Sequence, residues 1–227
     1  MHNRIFILTV LFYISMIYFF SCLNVSSILK DNITVKDIDG NIYHTVKIGG
    51  QLWMAENLKV TRYCNGDPIP YVSDIAVWTT LTTGAYCNYD NNEINADTYG
   101  HLYNWYAVND SRNIAPKGWH VPSDAEWKIL VDYLGGSEVA GGKIKETGRT
   151  HWVGNASATN ESGFSALPGG LRTHMDYVIM ALYADFWSST EYSFNAAMSW
   201  GLERNRSDID HGPLYKDSGL SVRLVMD

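Results

Sequence analysis

Ser123, Asp124, Ala125 and Glu126 open the one long helix that this chain spells out without ambiguity. Ser123 stands at the capping position, and Glu126 three residues later completes a capping box. Trp127, Leu130, Val131 and Leu134 follow at helical spacing, so one apolar face demands cover. Gly135 ends the helix. A second helix is expected from Ser137 to about Glu146, weakened by Gly141 and Gly142. Two helices in a chain of 227 residues leave most of the fold to strands and loops.

The strand signals agree. "ITVKDIDGNIYHTVKIGGQLW" reads as strands joined by tight turns at Asp39-Gly40 and Gly49-Gly50, both suited to primed hairpin turns. Ile42, His44, Val46 and Ile48 alternate with Tyr43, Thr45 and Lys47. "MAENL" has the look of one helical turn. Residues 61–98 are rich in Gly, Pro, Asn and Asp and predict loops. Beyond Thr150 come short strands: "GFSALPGGLR", "ADFWSST", "AMSWGLE" and "GLSVRLVMD". The last puts Val222, Leu224 and Met226 on one side, and a strand at each terminus predicts that the two ends pair.

Composition narrows the class. Apolar residues make up 46% and charged residues 18%, enough to bury a core. A net charge of -7 with scattered Lys and Arg argues against a nucleic-acid partner. The first residues carry His2 and Arg4, then an apolar run from Ile5 to Phe20. That is shorter than the roughly 20 residues of a membrane span and suits a secretory signal over residues 1–21. "FFSC" resembles a bacterial lipobox with Cys22 as the lipidated residue, although Phe19 stands where Leu is usual. An ordinary signal peptide and an uncleaved anchor are the alternatives. A tether over 22–34 follows. In an exported chain Cys64 and Cys87 are candidates for a disulfide. Two small buried hydrophobes are the alternative.

Catalytic spacings are missing: HExxH, GxSxG, a phosphate loop and GxGxxG do not occur. The histidines at 44, 101, 120, 151, 174 and 211 stand singly, and no cofactor is indicated. "NYDNNEINAD" offers Asp90, Asn92 and Asp97 to calcium, but it lacks the Gly and closing Glu of an EF-hand loop.

Six blocks, "GQLWMAENL", "YGHLYNWYAV", "PKGWHVPSDAEW", "GFSALPGGLR", "FWSST" and "GLSVRLV", stand in an order that resembles the Fibrobacter succinogenes major paralogous domain, over roughly 35–227. That family occurs in exported proteins and lipoproteins of Bacteroidetes and Fibrobacteres. More distantly it is similar to the formylglycine-generating enzyme and to C-type lectin-like folds. The resemblance implies an α+β, C-type lectin-like domain: two main helices packed on short antiparallel sheets, with long irregular loops. It assigns Trp105, Trp119 and Trp127 to the framework, as buried aromatics. It also implies an outer-membrane lipoprotein, periplasmic or surface-facing, held to the membrane by a lipid anchor.

Three functions compete. A non-enzymatic binding module for a glycan or protein ligand would use the loops between "FWSST" and "GLSVRLV", with Tyr192, Asn195, Trp200, Arg204, Asn205 and Asp208 as contacts. Phe194 and Tyr215 lie in the same segment. Trp200 and Phe194 could equally be inward strand residues, whereas Arg204, Asn205 and Asp208 are expected to face outward. Calcium-lectin triplets such as "EPN" are missing. Formylglycine-type chemistry relies on paired cysteines late in the domain, and this chain has none after Cys87. A structural or assembly component of a surface or fimbria-like layer is the second reading. Hydrolysis is a remote one.

Overall fold

A computed structural model describes residues 34–178 and 180–227. The signal segment, Cys22 and the tether up to residue 33 lie outside them. The strands are β1 (Thr34–Lys36), β2 (Ile42–Ile48), β3 (Gln51–Met54), β4 (Tyr86–Cys87), β5 (Leu102–Tyr103), β6 (Trp119–His120), β7 (Leu171–Arg172), β8 (Tyr177–Val178), β9 (Tyr183–Ser193), β10 (Ala196–Glu203), β11 (Asp210–Tyr215) and β12 (Val225–Met226). The helices are α1 (Ile75–Trp78), α2 (Glu93–Tyr99), α3 (Trp105–Val108), α4 (Asp124–Tyr133) and α5 (Ser137–Ile144). The fold is α+β, with antiparallel pairing between its strands.

One sheet runs in the order β1-β2-β3-β12-β6, and β9, β10 and β11 form a second, consecutive meander. The ends of the domain do share a sheet, but β12 joins β3 rather than β1: Val225 pairs with Trp53. The Gly49-Gly50 turn is the expected two-residue connection, with Ile48 opposite Gln51 and Gly49 at a φ of 60°. The Asp39-Gly40 expectation needs correction. Residues 37–41 form a longer loop, organised by Asp37, whose Oδ1 accepts from the backbone N–H of Asp39 and Asn41. "MAENL" is strand end and bend, not helix. Its backbone is committed to the sheet, Met54 N–H to Leu224 and Ala55 N–H to His44.

β2 serves two cores, one from each face. Tyr43 points into a cluster with Tyr103, Trp105, Trp119 and Trp187. Val46 and Ile48, of opposite parity, pack with Trp53, Trp127, Phe164, Phe186 and Trp200. Alternation here therefore separates two interiors rather than inside from outside. Trp105, Trp119 and Trp127 are all buried framework residues, as expected. Trp127 lies 4.9 Å from Trp53 and 5.8 Å from Phe164, centroid to centroid.

α4 has the anticipated ends. Ser123 Oγ accepts from the Glu126 N–H at 3.3 Å, and Glu126 Oε2 accepts from the Ser123 N–H at 2.8 Å. The Gly136 N–H returns to the Val131 carbonyl at 2.9 Å, closing the last turn. Residues 61–98 carry more structure than their composition suggests, since α1 and α2 both form there. Asn92 caps α2 by accepting from the Ile94 N–H at 3.0 Å, so part of the "NYDNNEINAD" run is a helix start.

Loops are held by buried cations. Arg223 donates to Asn57 Oδ1 at 2.7 Å and to the carbonyls of Met54, Phe164 and Ser165. Arg172 donates to the carbonyls of Val72 and Ser73, both at 2.8 Å, and lies over the Trp78 ring. Each turns loop carbonyls that would otherwise be stranded in the interior into satisfied acceptors.

Candidate ligand-binding cleft

The N-terminal end of α4 docks on the β9–β10–β11 meander. The Asp124 N–H donates to Thr190 Oγ1 at 2.9 Å, and the Ser189 N–H to the Pro122 carbonyl at 2.9 Å. This puts the Asp124 carboxylate over the middle of the meander. Its Oδ1 accepts from Trp200 Nε1 at 3.0 Å and bonds His211 Nε2 at 2.7 Å. Trp200 and His211 are directly opposed on β10 and β11, and their rings lie 4.2 Å apart. One carboxylate thus ties helix to sheet and sets both rings.

Beside this junction opens a cleft of about 540 Å³. Val131, Ile209 and Trp200 supply its apolar surface, and Asp132, Glu138, Asp208 and Asp210 its acidic rim. Lys128 also lines it, but it is paired with Asp132 at 2.8 Å.

The fourth wall is the turn between β10 and β11, fixed from below by α5. A Cβ at Gly141 would overlap the Asp208 carbonyl, and one at Gly142 would stand 2.6 Å from the Ser157 carbonyl. The glycines that weaken this helix in sequence are what lets the turn lie on it. The Gly142 N–H donates to the Ser207 carbonyl at 2.8 Å, and the Ile209 N–H to that of Ser137 at 2.9 Å. Lys145 is wholly buried beneath, its Nζ donating to the carbonyls of Glu203, Arg204 and Arg206. Burial pulls its ammonium down to about 8, against the pull of Asp208 and Glu203. Above, Arg206 donates to the carboxylates of Asp208 and Asp210. That bond, with the Arg206 charge, holds the Asp208 carboxyl below the usual range.

The six residues expected to contact ligand do not meet. Tyr192 and Asn195 sit at the β9–β10 end of the hairpin, Arg204, Asn205 and Asp208 at the β10–β11 end. The eight residues of β10 between them span roughly 25 Å at the rise of a strand. Only Trp200 and Asp208 line the cleft. Trp200 is a buried strand residue, 5% exposed, the inward alternative of the two the sequence left open. Its faces are taken by His211 on one neighbour and by Trp127, stacked at 6.1 Å, on another. Of the expected outward trio, Asn205 is exposed while Arg204 and Asp208 are half-buried. Sequence reasoning misses Asp124, Glu138, Asp210 and His211. It favours loops, and these four sit at helix starts or within a strand.

Cys64 and Cys87 are both free, so the disulfide expectation is corrected. Cys64 is exposed with its Sγ on the Ala115 carbonyl, while Cys87 is buried with Trp78, Ala85, Tyr89 and Leu102. Each sulfur belongs to a different environment. Burial pushes both thiols up, leaving them protonated.

These features define a mixed α+β domain whose helix–sheet junction frames an acidic cleft. The chain belongs to the Fibrobacter succinogenes major domain family, whose model matches residues 46–226. No curated protein and no solved structure matches the chain. Among the described residues no helix is long and apolar enough to cross a membrane.

Proposed function

We propose that this is an exported, lipid-anchored envelope protein whose domain binds a glycan without transforming it. The observation that carries the reading is the prebuilt cleft. Asp124 holds Trp200 and His211 in place before any ligand arrives, and Lys145 and Arg206 fix the turn opposite. A rigid recess needs little ordering on binding, which favours affinity. Its carboxylates suit the many hydroxyl donors of a sugar, and the apolar floor suits its C–H faces. The apolar run before Cys22 supports export. The lack of cysteines after Cys87 speaks against formylglycine-type chemistry, and no sequence motif points to another reaction.

A glycan and mucin array probed with the folded protein tests this. Binding should fall in a Glu138→Gln/His211→Ala double variant and persist in Tyr192→Ser. Loss in the second variant alone would move the site to the hairpin tip.

One observation favours an assembly role instead. Phe194 is 96% exposed at that tip, with Tyr192 and Tyr215 also exposed nearby. Exposed aromatic patches mark protein contacts. Concentration-dependent association in sedimentation, abolished by Phe194→Ser, would support that reading over the first.

A further inference from the structure

β9, β10 and β11 place three residues in one cross-strand row: Asp185 faces Gly201, and Gly201 faces Asp210. Opposed residues share a face of the sheet, so two carboxylates flank a position with no side chain. A Cβ at Gly201 would stand 2.7 Å from Asp185 Oδ1 and 3.9 Å from Asp210 Cβ. The missing side chain therefore leaves a slot, part of a cavity of about 260 Å³ that Ser199, Gly212 and Leu214 also line. The cavity is separate from the cleft above, sharing only Asp210 and His211 with it.

The two carboxylates differ. Asp210 is already held by two Arg206 nitrogens at 2.9 and 3.0 Å. Asp185 is only partly exposed, and among the described residues nothing donates a hydrogen bond to its carboxylate. Leaving a carboxylate partly desolvated and unpartnered costs free energy, and a protein retains one more readily where something outside the chain completes it. Burial, reinforced by the Asp210 charge, pushes its carboxyl up to about 7. Near neutrality a proton does half of what a cation would do fully.

We propose that the slot over Gly201 is a binding site for a primary ammonium group, with Asp185 as its carboxylate. Three acceptors are to hand for three N–H donors: Asp185 Oδ1, a second lone pair of the Asp210 carboxylate, and Ser199 Oγ. The Ser199 hydroxyl donates to the Gly212 carbonyl at 2.9 Å, which leaves its lone pairs free to accept. A compact ammonium fits a gap one residue wide, whereas a planar guanidinium needs a broad fork of acceptors. One free carboxylate is too few for calcium, which gathers six to eight oxygens. Lysine side chains and amino sugars both present the group. The proposal does not depend on glycan binding in the larger cleft.

The test is an amide NMR titration of the full chain at pH 8 with methylammonium and, separately, tetramethylammonium. Methylammonium should saturate shifts at Asp185, Gly201 and Asp210, and tetramethylammonium, equal in charge but too bulky, should not. Asp185→Asn should weaken the methylammonium site at least about tenfold, the loss expected on removing a charge-assisted hydrogen bond. Glucosamine and Nα-acetyl-lysine methylamide then separate the two sources. Equal responses to both ammonium ions, or unchanged binding in Asp185→Asn, would overturn the proposal. Asp185→Asn keeps the side chain's size, so a folded variant is expected, and its thermal melt verifies that.

Discussion

The Lys145 ammonium donates to the Glu203 carbonyl at 2.9 Å and to the Arg204 carbonyl at 3.1 Å, from a side chain with no exposure at all. It sits where the last turn of α5 meets the turn that walls the cleft. Three carbonyls converge on one cation.

Replacing Lys145 by Met keeps the stem but takes the donor from the Arg204 carbonyl, while the Arg206 N–H still reaches the Glu203 carbonyl and Ser157 Oγ the Arg206 carbonyl. A buried acceptor without a donor costs about 1–3 kcal/mol, so a loss of about that size is expected. Hydrogen exchange should speed up most at the Ile209 amide, whose partner is the Ser137 carbonyl. Uniform acceleration across the meander would mean that Lys145 supports the whole core rather than this turn.

Gly141→Ala tests the same junction from the other side. In a free helix the change would stabilise by up to about 1 kcal/mol. Here the new Cβ meets the Asp208 carbonyl, so the melt should fall instead, and glycan binding with it. A rise would show that the turn does not rest on the helix.

Trp127 is the centre of the larger aromatic cluster, fully buried and within 6.1 Å of Trp53, Phe164, Phe186 and Trp200. Trp127→Ala should cost about 3–5 kcal/mol, whereas Asn205→Ala, on an exposed part of the turn, should stay within about 0.5 kcal/mol. Denaturant melts of the two variants give the contrast directly.

How far the sequence reaches depends on whether the signal is local. The capping box at Ser123 and Glu126, the Gly49-Gly50 turn and the framework role of Trp127 are written in adjacent or periodic residues, and the structure has them. The cleft is not local. Asp124 meets Trp200 and His211 across 76 and 87 positions of chain, and nothing in any of the three stretches announces the others. Gly141 and Gly142 carry the opposite lesson. Read by propensity they weaken a helix, and only the carbonyls of Ser157 and Asp208 explain them. The expected ligand residues share one segment, but that segment is a hairpin whose two ends point away from each other.

Two groups should tilt stability with pH in opposite senses over the same range. His101 Nδ1 is hydrogen-bonded to Asn88 Oδ1 at 2.7 Å, and burial, with Lys59 nearby, pulls its imidazole down to about 4. Its stabilisation is complete above the unfolded value of about 6.5 and is lost as the pH falls toward 4. Asp185 behaves conversely. Its folded value of about 7 lies above the unfolded 3.8, so the folded state holds a proton that the unfolded state has released. That contribution is present below about 4 and is lost as the pH rises to 7. A tenfold change in proton affinity is worth about 1.4 kcal/mol, so each contribution amounts to no more than about 3–5 kcal/mol. In the intact protein the two offset one another. Single variants should separate them. His101→Gln should leave a profile that falls from pH 4 to 7, and Asp185→Asn one that rises over the same interval and exceeds the parent at pH 8. Chemical denaturation at pH 4.5, 6 and 8 measures both. Parallel profiles for the two variants would mean that neither group keeps its displaced pKa in solution.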